Sequence, residues 1–349
     1  MHLEQLNITA LEWEQRTKEL PDRTVFQSSA WISFLADTQR GEPIFAAFMD
    51  DNGVAGYFCG MLVRKFKIPM LGSPMPGWTT AYMGTNLLNG IPRDFALQAI
   101  ARFAFHDLGC LHLEIMDRRL SPDDARKLSF RTRLFNGFEI DIAQSEAALM
   151  ANMEGSCRRN IRKAVRCQLR IRECEDDSFV DHYYAQLEDV FAKDGLVPTY
   201  GKKRVRALMH YLLPERKVLP LQAIDPEGNC IASMLTVASN DTAFLWGSTS
   251  WRRFQYLRPN ELLMWSSIQH WKSRGIRKFD MGGGGEYKRK YGGYEISVPW
   301  LRASKYAGLE SLRATAVQAV RFQQRLRALS KHQGASAGLP HVASTEHAA

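Results

Sequence analysis

The chain of 349 residues has no run of about 18 apolar residues, so no membrane-spanning helix is expected. Its opening stretch carries Glu4, Gln5 and Asn7 and has no continuous apolar core, which argues against a signal peptide. The six cysteines (Cys59, Cys110, Cys157, Cys167, Cys174, Cys230) form no CxxC pair and no Cys/His cluster with zinc-ligand spacing. Reduced thiols in a cytoplasm are the expectation, some of them buried as small hydrophobes. GxSxG, HExxH and Walker A sequences are all missing, and the nine histidines are dispersed. A nucleophile elbow, a zinc protease site and a P-loop are thereby excluded, and no metal is expected.

What is present is basic. A formal charge of +9 points to an anionic partner, with nucleotide, phosphate, RNA and membrane surface all compatible. The cations concentrate at residues 158–172, 252–258 and 288–290, and beyond Lys305. Hydrophobic content of 45% with 24% charged residues is that of a soluble globular protein. The length exceeds what one core usually organises, so two domains are expected.

Two segments look like one unit written twice. Residues 44–49 and 54–63 are apolar strands around the turn Asp50-Asp51-Asn52-Gly53, and residues 218–224 and 230–238 flank Asp225-Pro226-Glu227-Gly228. A helix, a glycine and a strand follow each hairpin: residues 95–108, Gly109 and 110–116, then 260–274, Gly275 and 276–281. An acid stands five residues past each glycine, Glu114 and Asp280. This order predicts mixed α/β sheets with helices packed on them, duplicated, with the seam near residues 144–151 and Ser145 as a helix N-cap. Residues 304–330 are expected to form a C-terminal helix and residues 331–349 a disordered tail.

Four stretches are candidates for chemistry. Arg158, Arg159, Arg162, Lys163 and Arg166 place five cations in nine residues around Asn160, a density that favours a phosphate or nucleotide site over a solvated face. On that helix Ile161 and Val165 are expected to form the buried side. The second stretch runs from Trp246 through Arg252, Arg253 and Arg258 to Pro259 and Asn260, where a strand opens into a helix N-terminus. Free backbone N–H groups there suit an anion, with Arg258 as a bidentate clamp; an ordinary exposed loop is the equal alternative. The third is Asp280, Met281, the glycines 282–285, Glu286, Tyr287 and Lys288, either a flexible hinge or the rim of an active site. Residues 68–84, rich in proline and glycine with Trp78 and Tyr82, make either a substrate-channel lining or a rigid connection.

At these residues the chain resembles the Fem-like branch of the GNAT acyltransferase superfamily, which includes the aminoacyltransferases of peptidoglycan cross-bridges and proteobacterial relatives linked to exopolysaccharide. The resemblance runs from Phe26-Gln27-Ser28 to Tyr291-Gly292-Gly293. It is carried by Arg158-Arg159-Asn160-Ile161-Arg162, by Arg258-Pro259-Asn260, by Phe279-Asp280-Met281-Gly282-Gly283 with Tyr287-Lys288, and by the stretch ending in Pro198 and Tyr200.

The resemblance implies two tandem GNAT-like domains (1–147 and 148–303) and acyl transfer to an amine of a cell-envelope or exopolysaccharide precursor. It implies acyl-CoA or aminoacyl-tRNA as co-substrate, with no tightly bound cofactor. In GNAT enzymes the loop equivalent to 248–260 is glycine-rich and cradles the coenzyme A pyrophosphate; here it has no glycine. The aromatic-Lys pair that is functional in the bridge enzymes falls on Tyr287-Lys288, with Tyr in place of Phe, which makes Tyr287 a candidate catalytic residue beside Lys288 and Asp280. Lys288 is the candidate for oxyanion or leaving-group stabilisation, and Asp280 for orienting or deprotonating the amine. Arg158, Arg159, Asn160, Arg162, Tyr200, Trp246, Arg258 and Asn260 are the candidate binding residues for a phosphorylated or nucleotide-linked sugar or peptide precursor, or for tRNA. Peripheral contact with the inner membrane through the C-terminal helix is a further expectation, and a non-catalytic accessory protein is the alternative to an enzyme.

Overall fold

The computed structural model describes residues 1–309 apart from positions 66 and 89. Most of the expected helix at 304–330, and the whole of the expected tail, therefore lie outside the described residues.

The first half comprises β1 (His2–Gln5), α1 (Ala10–Thr17), α2 (Ser29–Gln39), β2 (Glu42–Asp50), β3 (Gly53–Lys65), β4 (Ile68–Ser73), β5 (Thr85–Leu87), α3 (Arg93–Arg102), β6 (His112–Met116), α4 (Pro122–Arg126) and β7 (Arg131–Asp141). Two connecting helices follow, α5 (Glu146–Asn152) and α6 (Gly155–Arg166). The second half comprises β8 (Arg170–Glu173), α7 (Asp177–Ala192), α8 (Lys202–Leu212), β9 (Val218–Ile224), β10 (Cys230–Ser239), β11 (Thr242–Ser250), α9 (Pro259–Ser273), β12 (Lys278–Gly283) and β13 (Tyr294–Ser304). Apart from β5, each half runs strand, two helices, three strands, helix, strand, short helical turn, strand.

Local chemistry sets most element ends. Thr9 and Glu12 form a reciprocal capping box on α1, and the Ser28 hydroxyl accepts from the Trp31 N–H to cap α2. Ser145 caps α5 as expected, accepting from the Ala148 N–H at 3.2 Å. Both anticipated hairpin turns form: the Asn52 N–H donates to the Asp50 carboxylate at 2.8 Å, and the Asn229 N–H to that of Asp225 at 2.7 Å. Gly109 and Gly275 close their helices at φ +65° and +82°.

All thirteen described strands join one sheet in the order β1-β2-β3-β4-β6-β13-β7-β12-β11-β10-β9-β8, with β5 paired to β3. The halves have exchanged their last strands. The first half's β7 lies beside β12, the second half's β13 lies beside β6, and the two pair antiparallel from Tyr294↔Glu139 to Arg302↔Arg131. The parallel pairs β4–β6 and β11–β12 occupy equivalent places.

One core is shared. Trp13, Phe26, Trp31 and Phe34 of the first half pack with Phe179, Tyr183, Leu208 and Phe244 of the second. Two further cores lie one under α3 and one under α6 and α9, each completed by the exchanged strand: Leu301 of β13 joins the first, and Phe138 and Ile140 of β7 join the second. On α6 the buried residues are Cys157, Ile161 and Ala164, whereas Val165 is 58% exposed, contrary to expectation. The helix turns Ala164 rather than Val165 toward α9, because residues 157, 161 and 164 follow the 3.6-residue period of one face.

Candidate functional site

Strands β11 and β12 run parallel and pair, among the described residues, only from Thr242↔Lys278 to Phe244↔Asp280. A register shift opposite Leu235 and Thr236 places a bulge at Trp246, so the two strands part just beyond Asp280. The expected glycines follow on β12. A side chain at Gly283 would overlap the Phe135 ring of β7, so this close approach of strand and ring needs glycine.

Asp280 ends the paired stretch with its carboxylate on the side of the shared core and only 1% exposure. One oxygen accepts the Gly282 N–H at 2.6 Å; the other, Oδ2, has no hydrogen-bond partner. Burial pushes its pKa up to about 6, against the opposing pull of the Gly282 N–H, Tyr82 and Arg118. Tyr82, also 1% exposed, faces it from the loop after β4, and its hydroxyl is likewise unpartnered. The two groups are near enough to bias each other's ionisation, while neither Oδ2 nor the phenol oxygen has a partner in full hydrogen-bond geometry. Leaving such groups unpaired costs about 1–3 kcal/mol each. Beside them Glu139 is held on both oxygens, by Arg118 at 2.7 Å and by the Tyr294 hydroxyl.

Lys288 is 6% exposed and folds back over the glycine run. Its ammonium donates to the Met281 carbonyl and, at 2.8 Å, to that of Gly283. Burial lowers its pKa and the nearby Asp280 opposes the shift. The lysine thus ties the strand end into shape, leaving one N–H direction for other use. A short helical turn, Glu286–Tyr291, follows the glycines. Tyr287 on it is 61% exposed, and its ring lies against Gly285.

Tyr200 and Trp246 meet at the bulge, ring centroids 5.2 Å apart, and the Tyr200 hydroxyl bonds that of Tyr183 at 2.9 Å. The Trp246 indole N–H is buried and unpartnered. Farther along, at the N-terminus of α9, Pro259 takes the first helical position after Arg258, which sits at φ +64°. Asn260 donates to the Ser250 hydroxyl at 3.2 Å while its buried Oδ1 lacks a partner. Asn160 of α6 reaches the buried Glu261 of the same turn at 3.0 Å.

The basic stripe divides. Arg159, Arg162 and Arg258 are exposed and form no ion pair among the described residues. Arg158 instead donates to the carbonyls of Met150, Ala151 and Met153, closing the end of α5. It stands apart from the stripe because a helix C-terminus presents carbonyls that need donors. The structure thus brings Asp280 and Lys288 together and gathers Asn160, Asn260 and Arg258 around the α9 N-terminus. Glu139, Arg118 and Glu261 carry no signal in the sequence, and Lys290 only as part of the basic run 288–290. Tyr82 carried a signal only as part of the loop 68–84.

Residues 151–291 match the family described as an acetyltransferase (GNAT) domain. Among solved structures, FemX is similar at 12% identity and a TM-score of 0.68, covering 85% of this chain and 96% of FemX. A tandem GNAT protein from the clavulanic acid biosynthesis pathway is similar at 11% identity and a TM-score of 0.54, covering 87% of this chain and 98% of its own. L-PGS from Bacillus licheniformis is similar at 13% identity and a TM-score of 0.54, covering 89% and 96%. No curated protein sequence matches the chain. The fold is a tandem GNAT-like α/β fold, and the stretch that matches the acetyltransferase (GNAT) domain lies in its second half.

Proposed function

We propose, with the acetyltransferase (GNAT) domain over residues 151–291 as premise, that the chain is an N-acyltransferase acting on an amine of a cell-envelope or exopolysaccharide precursor. The observation that carries the reading is Asp280: a buried carboxylate with one free oxygen, at the point where β11 and β12 part, with a pKa lifted to about 6. A base of that strength is ionised at neutral pH and still a useful proton acceptor.

In this reading the amine nitrogen attacks the donor carbonyl, a nitrogen–carbon bond forms, and the amine gives one proton to Asp280. The carbon–sulfur or carbon–oxygen bond of the donor then breaks, and the leaving atom takes a proton back from the acid form of Asp280. Lys288 contributes a fixed positive charge beside the developing oxyanion. Trp246 and Tyr200 wall the site. Asn160, Asn260 and Arg258, at the α9 N-terminus, hold the phosphates of a donor or of a nucleotide-linked acceptor, and the exposed Arg159 and Arg162 add attraction for them. The donor is acyl-CoA or aminoacyl-tRNA, and Tyr287, exposed at the rim, contacts the entering substrate.

The motif resemblance to the bridge-building aminoacyltransferases supports an envelope acceptor, and the fold of FemX is compatible with it. No described helix is long and apolar enough to cross a membrane, so contact with the inner membrane would be peripheral. A non-catalytic accessory role is the second reading, favoured by the engagement of Lys288 with two backbone carbonyls. The test is transfer from acyl-CoA and from aminoacyl-tRNA to nucleotide-linked amino sugars and peptides, followed by mass spectrometry. Asp280→Asn should lower kcat by roughly 10²–10⁴. An undiminished rate would remove Asp280 from the chemistry, and absence of transfer from every donor would favour the accessory role.

A further inference from the structure

Tyr82 belongs to the first half, yet its unpartnered hydroxyl faces the second half's strand end at Asp280. The loop that carries it is fastened along its length. Arg204 of α8 donates to the carbonyls of Gly77 and Trp78, and the Trp31 indole donates to the Thr80 hydroxyl at 3.2 Å. The Thr24 hydroxyl donates to the Tyr82 carbonyl at 3.1 Å, and the Gln27 amide to that of Met83. The Tyr82 ring is caged by Phe26, Phe135 and Phe244, with centroids 6.4, 6.3 and 5.9 Å away, and the Arg118 guanidinium lies 5.7 Å from its centroid. A caged ring has little freedom, so the direction of its hydroxyl is set by the scaffold. Phenylalanine would fill the same cage without burying an unpaired hydroxyl, so packing does not call for the oxygen.

The charged and titratable groups facing Asp280 are Tyr82 from this loop, Arg118 from the segment after β6, Glu139 from β7 and Lys288 from the turn after β12. Arg118 is committed to Glu139, and Lys288 to two carbonyls. Of these groups the Tyr82 hydroxyl alone has no hydrogen-bond partner at all. We infer that Tyr82 is a positioning residue for Asp280, its hydroxyl donating to the free Oδ2 to aim the carboxylate and set its basicity, so that the first half supplies part of the second half's active site. The inference rests on the reading of Asp280 as proton acceptor. It also gives the loop at 68–84 a function as a rigid connection that delivers one side chain across the halves.

The experiment is a carbon-13 titration of the Asp280 carboxyl in the full chain, assigned by the signal lost in Asp280→Asn. The native midpoint should lie at about 6. Tyr82→Phe should raise it by about one pH unit, the equivalent of one net hydrogen bond to the carboxylate. Replacement of Tyr82 by 3-fluorotyrosine, a stronger donor of the same shape, should move it down. Thermal melts of both variants establish that the fold is kept, and the acid limb of the rate profile should move with the carboxyl midpoint. Midpoints equal to the native one in both variants would overturn the inference. A shifted midpoint combined with undiminished transfer by Asp280→Asn would instead overturn the proton-acceptor reading, and with it the place of Tyr82 in the reaction.

Discussion

Glu261 and Lys290 meet at 2.8 Å at the N-terminus of α9, and the Glu261 oxygen that takes the lysine also takes the Asn160 amide. The Lys290 ammonium lies 5.2 Å from the ring centroid of Tyr291 and 5.9 Å from that of Tyr287. The lysine therefore joins the turn after the glycine run to α9, and through Asn160 to α6. Lys290→Ala is thus not a mild change. The variant should lose about 2 kcal/mol, less than the several for a fully buried pair because Lys290 keeps partial contact with water. Denaturant melts measure it, and adding Glu261→Gln should recover part of the loss by removing the stranded charge.

Asp280 makes stability fall with rising pH. Its folded pKa, about 6, exceeds its ordinary 3.8, so between these values the native chain holds a proton that the unfolded chain has released. The contribution is fully present below pH 4 and is lost as pH rises through 6, up to about 3 kcal/mol as an order of magnitude. Melts across pH 4–7 should show this slope in the native protein, and Asp280→Asn should remove that component. The catalytic rate should run the other way, rising through the same midpoint as the base form appears.

Lys288→Met keeps the length of the side chain and removes its donors to the Met281 and Gly283 carbonyls. Both melting temperature and kcat should fall, since the same ammonium shapes the strand end and carries charge beside Asp280. Loss of two charge-assisted hydrogen bonds to carbonyls suggests about 1–3 kcal/mol. A fall in kcat with an unchanged melt would assign the lysine to chemistry alone.

Arg159→Ala and Arg258→Ala should leave the melt nearly unchanged, because both side chains are exposed without ion pairs among the described residues. Each should weaken a phosphorylated donor or acceptor by about 1–3 kcal/mol, with the loss shrinking at high salt. Arg158→Ala should do the reverse, destabilising the chain by uncapping α5 and changing affinity little. Calorimetry with coenzyme A and with a UDP-linked sugar, paired with melts, separates the outcomes.

Expressed apart, residues 1–147 and 148–309 should each fail to give a cooperatively folded unit. The first piece would lack β13, which stands between β6 and β7, and the second would lack β7 beside β12. Heat-unfolding of each piece, and recovery of a single cooperative transition on mixing, checks this.

Features set by near neighbours in the chain were legible before any coordinates. The turns at Asp50–Gly53 and at Asp225–Gly228, the cap at Ser145, the start of α9 at Pro259 and the repeated hairpin, helix and strand all depend on contacts within a few residues. So does the gathering of cations on α6, although which of them face solvent does not. Arg158 and Arg159 are adjacent and chemically identical, and only the end of α5 lying over one of them decides that it becomes a cap. The partner of a strand has no local signature, because a ladder is written in backbone groups that every residue shares. Hence the exchange of β7 and β13 belongs to the tertiary structure alone. The same holds for Tyr82 and Asp280, 198 positions apart by the difference of their numbers: their meeting follows from Arg204, Thr24 and Gln27 fastening one loop across two halves.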